Sequence, residues 1–318
     1  MFASFLSIYA RRSADLFRIA SQGTGVLRPG AIQPDLVNRL VEEARTSARH
    51  VLTMCVRALD FCPPVDLNFG DYLRALITAD YEVAPGDELQ YRVAVVESFR
   101  NWGIYPGNML TLSPETLRWQ KPGVRESEDI LSEVLQSARR FADESRYLKY
   151  NKSFPEAMPL RERMFRFSRQ WRIKLHDMLK VRIRSATQTE RERLGADLGL
   201  DFSTGREPFE IHSLRVTEKI GPDNEMKCHL ILELLQHRNE IAEGNPFRFV
   251  GGCTLIVDAK SLGVKYSIRK DIASKTRLAR SKAALAASQG LRPVYLSGTP
   301  FAGMGERFAI LHKCGEKD

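Results

Sequence analysis

The chain has 318 residues, 43% of them hydrophobic and 27% charged, which is long enough for two domains and apolar enough to bury real cores, so wholesale disorder is excluded. Forty-eight Lys and Arg against 39 Asp and Glu leave a net charge of +9. That balance suits an anionic partner but by itself speaks only to association and solubility, and it makes nucleic acid a minor reading.

Five cysteines, Cys55, Cys62, Cys228, Cys253 and Cys314, are odd in number, scattered and without a C-x-x-C pair. This argues against a disulfide framework or a zinc ribbon and for a reducing, cytoplasmic setting. The opening MFASFLSIYARR is apolar before it is basic, the reverse of a secretory signal, and no stretch approaches about 20 uncharged apolar residues, so no membrane span is expected.

In chain order, Phe2, Phe5, Leu6, Tyr9, Leu16 and Ile19 recur at helical spacing and predict an amphipathic helix over 2–20 with no capping residue ahead of it, an abrupt start that reads as a cut. Pro34 opens a second helix whose apolar positions, from Leu36 through Val51, Leu52, Val56 and Leu59, predict a long and largely buried element. Pro63 and Pro64 end it at or before Cys62, because proline lacks an N–H and restricts the residue before it. Asn68 caps a helix through Asp80, with Phe69, Leu73, Leu76 and Ile77 on its apolar side and Asp71, Arg74 and Asp80 on the other. A further helix over about 87–102 stops at Gly103, and Pro114 starts a short one.

These runs, FLSIYARRSADLFRIASQGTGVL, VLTMCVRALDFCPPVDLNFGDYLRALITAD and YRVAVVESFRNWGIYP, resemble the segment that follows the active site in bacterial thermolysin-like and fungalysin-like (gluzincin) zinc metallopeptidase proteins. The resemblance covers roughly residues 1–120 well and, more loosely, the end of the chain. It implies a helical part that completes a peptidase lobe, with 69–80 as a packing helix of structural role. In that family an H-E-x-x-H helix sets two imidazoles on one face for zinc and a glutamate to activate the metal-bound water. This chain has no H-E-x-x-H, and its six histidines, His50, His176, His212, His229, His237 and His312, never stand at i, i+4. No catalytic, cofactor-binding or metal residue carries over. Zinc is expected only in an upstream or partner region.

A carboxylate pair of Asp71 and Asp80 is the tempting acid–base reading, but nine residues of helix separate them by about 13 Å along the axis, too far for one site.

From about 127 to 200 the physics changes. Apolar periodicity predicts helices over 130–142 and 160–179, and from Arg161 to Arg193 there are eleven Lys or Arg against four acids. The basic face supports either an anionic surface contact with nucleic acid or lipid, or a solvated helix whose arginine stems lie on apolar neighbours; the second reading is preferred.

After Gly205 the period becomes two, predicting strands over 209–217, 226–236, 247–259 and 263–269 in an antiparallel meander, then a helix over 270–288 and a last strand over 307–312. Along the second strand Met226, Cys228, Leu230, Leu232 and Leu234 alternate with Lys227, His229 and Glu233. Gly251 and Gly252 inside a strand mark a bulge or a close backbone approach. His212 and His229 near Cys228 or Cys253 invite a metal or thiol–imidazole pairing, with ordinary sheet residues the preferred reading.

The fold expected is α+β: a helical, metallopeptidase C-terminal-lobe-like bundle over 1–122, a basic helical connector over 123–204, and a small antiparallel sheet with a covering helix over 205–318. The leading functional expectation is a non-catalytic C-terminal segment of a thermolysin-like protein, a scaffold or partner-binding piece that meets an upstream or separate peptidase-like domain. A basic module for nucleic acid or an anionic surface is the alternative, and peptidase activity only when joined to a zinc-bearing region is the second.

Overall fold

A computed structural model describes residues 1–26, 30, 33–107, 109, 111–120, 128–150, 160–220, 226–242 and 244–287. The expected turn at 221–224 and last strand at 307–312, with His312 and Cys314, lie outside them.

The architecture is α+β: helices α1 (Phe2–Ala20), α2 (Pro34–Ala58), α3 (Phe69–Val83), α4 (Tyr91–Asn101), α5 (Pro114–Leu117), α6 (Glu128–Tyr150), α7 (Leu160–Ser185) and α8 (Gln188–Leu198), then strands β1 (Glu210–Ile220), β2 (Met226–Ala242), β3 (Asn245–Asp258) and β4 (Val264–Lys270), and helix α9 (Lys275–Ala287). The sheet order is β1-β2-β3-β4, and β3 pairs antiparallel with β4 from Gly252↔Lys270 to Val257↔Val264, with a register shift at Ile256/Val257. Among the described residues no helix is long and apolar enough to cross a membrane.

The chain forms two compact units. The first gathers Met1–Cys62, Leu67–Lys121 and Thr217–His229; the second gathers Pro63–Asp66, Pro122–Val216 and Leu230–Asp318.

In the first unit, local chemistry sets the helix ends. Asn68 and Asp71 form a reciprocal capping box at the start of α3, satisfying two of the amides a helix N-terminus leaves unpaired. Ser113 and Thr116 do the same for α5. After α4, Gly103 takes the left-handed conformation (φ 69°) that a side chain resists, closing the helix as its spacing predicts. Ile8, Val51, Tyr91 and Ala94 pack together, so α1, α2 and α4 share a core. Trp119 closes the unit: its Nε1 donates to Phe61 O at 3.0 Å, and the Arg74 guanidinium lies 3.8 Å from its ring centre.

Two expectations fail here. Only Ser47, Val51, Met54 and Ala58 of α2 are buried, so that helix is not largely enclosed. Asp80, assigned to the outer side of α3, is buried, whereas Phe69, assigned to the inner side, is 70% exposed. Phe69 is the first residue of α3, where the helix has not yet turned its apolar stripe toward α2.

In the second unit, Leu175, Leu179 and Ile183 of α7 join Val134, Ala138 and Phe141 of α6 and Leu194 and Leu198 of α8 over Leu214, Leu230, Leu232, Leu234, Cys253, Leu255 and Val257 of the sheet. The helices expected as a connector therefore form the layer on one sheet face. The covering helix α9 packs through Leu278 and Leu285 on Phe247, Phe249 and Ile272. Along β3, Gly251 to Val257 are buried without interruption, so alternation disappears where both faces are covered. Gly251 and Gly252 are close approaches: an added Cβ would stand 2.6 Å from the Ile272 side chain at the first and 2.5 Å from Leu234 O at the second.

Candidate functional site

The first unit carries a chain of buried and half-buried polar groups. Helix α4 begins at Gln90, a left-handed residue whose side chain makes no cap. Asp87 does the capping instead, its carboxylate accepting from the amides of Tyr91 at 2.7 Å and Arg92 at 3.1 Å. Arg92, only 4% exposed, donates to Ala84 O and Pro85 O at 3.0 and 2.9 Å and lies 3.5 Å from Asp80 Oδ2 and 3.6 Å from Asp87 Oδ2. One guanidinium thus neutralises two carboxylates and fastens the loop between α3 and α4.

From α2, His50 brings Nε2 to 3.4 Å from Asp80 Oδ1, an ion-pair distance without hydrogen-bond alignment, and its ring stands edge-on to Tyr91 at 4.4 Å. From α1, Arg12 donates to Tyr91 OH and pairs with Glu43 Oε2 at 2.6 Å. Burial pulls the Arg12 guanidinium down, but these two partners outweigh it and hold it above its ordinary value. The sequence Glu43, Arg12, Tyr91, His50, Asp80, Arg92, Asp87 therefore links α1, α2, α3 and α4. Among the described residues His50 meets Asp80 and the Tyr91 ring. The chemistry of this chain of groups is charge fixation.

Helix α2 has a second face. Val37, Val41, Leu52, Val56 and Leu59 are 43 to 64% exposed, with Ala48 between them also exposed. Their spacing of four, eleven, four and three residues keeps them on one side of the helix, over roughly 33 Å of axis. Arg45 and Arg49 flank the stripe, both exposed. Apolar surface aligned in this way is a contiguous stripe rather than scattered exposure.

The other sequence candidates are placed separately. Asp71 caps α3 while Asp80 belongs to the polar chain, so the pair is not a site. His212 is exposed and lies 3.4 Å from Glu210. His229, expected on the polar side of β2, is 1% exposed with Nε2 3.9 Å from Glu82 Oε2, a correction with a plain cause: its side of the strand is enclosed, and an acidic neighbour receives it. Cys253 is fully buried, which pushes its thiol up and away from reactivity. Tyr72 donates to Cys55 O at 3.0 Å; burial, and then Cys55 and Cys62, push its hydroxyl up. Among the described residues no three His, Cys, Asp or Glu side chains group as metal ligands.

On α7 the basic residues are divided. Arg172 donates to His212 O, Arg166 pairs with Glu162 at 2.7 Å, and Arg182 stands 3.9 Å from Glu133. Helix α8, capped by the Thr187–Glu190 box, went unpredicted although T-x-x-E is a start signal. Set against family models, curated proteins and solved structures, the chain matches none.

Proposed function

We propose that the chain is a scaffold whose helical unit docks a peptidase-like zinc domain, supplied upstream or as a separate protein, and that it holds no zinc of its own. The observation that carries this reading is the apolar stripe Val37–Val41–Leu52–Val56 on α2, continued by Leu59 just past its last turn. Water contact on so many aligned aliphatic side chains is costly in isolation, at roughly 25 cal/mol per Å² of apolar area, and a partner surface relieves it. The resemblance of residues 1–120 to the helices that complete a thermolysin-like lobe supplies the occupant, and the missing H-E-x-x-H supplies the reason the metal belongs to it. The exposed Arg49 beside the stripe favours an acidic border on that partner, while Arg45 is paired with Glu42 at 2.6 Å. Cys55 and Cys253, which form no disulfide, fit a cytoplasmic setting.

The test mixes the purified chain with a thermolysin-like zinc domain and follows mass, zinc and casein cleavage. The expected result is a one-to-one complex whose zinc stays with the added domain, and loss of the complex in Leu52→Asp/Val56→Asp. Stoichiometric zinc and casein cleavage by the chain alone would overturn the reading.

A further inference from the structure

In the second unit, one side of α7 and the loop from Gly205 to Phe209 enclose a cavity of about 280 Å³, whose lining includes His176, Lys180, Arg184, Arg206, Glu207 and Phe209. Three of these stand at positions i, i+4 and i+8 of α7, so His176, Lys180 and Arg184 form one row on the helix. Arg206 comes from the loop opposite.

The cleft is preformed. Gly205 adopts φ 71°, and an added Cβ would press to 3.2 Å on the Arg191 side chain, so a glycine is required at that turn. Glu207 holds the loop from within, accepting from Ser203 Oγ at 3.0 Å, Thr204 N at 2.5 Å and Arg206 N at 3.1 Å. Partial burial pushes its carboxyl up, but the amides of Thr204 and of Glu207 itself and the hydroxyls of Thr204 and Ser203 bring it down to about 2. His176 ties helix to loop, with Nε2 3.2 Å from Phe209 O and its ring 4.8 Å from the Phe209 ring.

The charges in this cleft have no ion-pair partner among the described residues, unlike several others on the helix. Arg166, Arg172 and Arg182 have protein partners. Lys180, Arg184 and Arg206 are exposed and form no side-chain ion pair among the described residues. The carboxylate of Glu207 is engaged by the loop's own donors and does not neutralise them. Three cations from two elements facing one cavity, with Ile183 and Phe209 as apolar surface beside them, match a dianion attached to a small organic body.

We propose that this cleft binds a small phosphate ester. The phosphate sits among Lys180, Arg184 and Arg206, and its body lies against Phe209 and Ile183. Glu207 Oε2 accepts from Arg206 N at 3.1 Å and so fixes the loop that carries Arg206 into the cleft. The volume is at the small end of ligand sites, which suits a mononucleotide or a sugar phosphate. None of these residues lies on α2, so the site stands or falls apart from the docking role.

The test is calorimetric titration of the full chain with AMP, with ribose 5-phosphate and inorganic phosphate as separate arms. AMP or ribose 5-phosphate is expected to bind one-to-one with Kd below about 1 mM, more tightly than inorganic phosphate, and whichever ester binds better names the body. Arg184→Ala and Arg206→Ala are each expected to weaken that ester about tenfold or more, the loss of a charge-assisted contact. Arg169→Ala, exposed on the same helix outside the cleft, serves as the charge control and is expected to leave it unchanged. Circular dichroism verifies that each variant folds. Equal losses for Arg169→Ala and Arg206→Ala, inorganic phosphate binding as tightly as either ester, or heat with a single-stranded oligonucleotide but with neither ester would each overturn the proposal.

Discussion

The two units keep their shape by different means. In the helical unit, aliphatic contacts such as Ile8–Val51–Tyr91–Ala94 are interleaved with a run of charged groups from Glu43 to Asp87 that touches four helices. In the sheet unit, some twenty buried apolar side chains meet in one cluster that holds no charged group, and the buried Arg277 lies outside that cluster, on Asp66, Asp271 O and Val250 O. The difference teaches where each unit is vulnerable: the first to loss of one partner in a buried pair, the second to loss of volume.

The sharpest way to break the comparison is Arg92→Met. It leaves Asp80 and Asp87 enclosed without their cation, and about 3–5 kcal/mol of unfolding free energy of the helical unit should go with it, read by urea denaturation. Adding Asp80→Asn should recover part of the loss, because the two sites share one interaction. If Arg92→Met costs no more than an ordinary surface change, the charged chain is ornament and the contrast fails.

Next in size, Leu175→Ala opens a void under the sheet and should cost about 2–5 kcal/mol, while amide exchange in α2, α3 and α4 stays as in the parent. Asn68→Ala removes half of the capping box at α3 and should cost about 1 kcal/mol.

The smallest effect is a pH dependence confined to the loop at 203–209. The folded value of Glu207, about 2, lies below its ordinary 4.5, so the stabilisation it gives is complete above that ordinary value and is lost as pH falls toward 2. Protection factors of the Thr204 and Arg206 amides should therefore drop between about pH 4.5 and 2, and Glu207→Gln should flatten the change. An unchanged profile in Glu207→Gln would remove the carboxylate as the loop's clasp.

Much of the fold was legible because its causes are local. Pro34, Asn68, Gly103 and Pro114 mark helix ends by their own backbone chemistry, and the period-two alternation of β2 announced the sheet. The paired glycines of β3 were readable for the same reason. The charged network was not, because Asp80 is buried by His50, thirty residues before it, and by Arg92, twelve after, and neither spacing is periodic. Periodicity also misjudged α2. An apolar stripe left for a partner and one enclosed by its own chain look alike in sequence, and only the packing of Val51 and Met54 against the exposure of Leu52 and Val56 separates them. The cleft residues gave a faint signal, His176, Lys180 and Arg184 at spacing four, but the loop that makes them a cavity depends on Glu207 and Gly205.

Hydroxyl-radical footprinting of the chain, alone and with a thermolysin-like zinc domain, tests the docking role most directly. Val37, Val41, Leu52, Val56 and Leu59 should be oxidised readily in the free chain and protected in the mixture, with Phe69 and Trp102, also exposed, unchanged as references. Equal oxidation of the stripe in both samples, or protection of the references alone, would contradict the account.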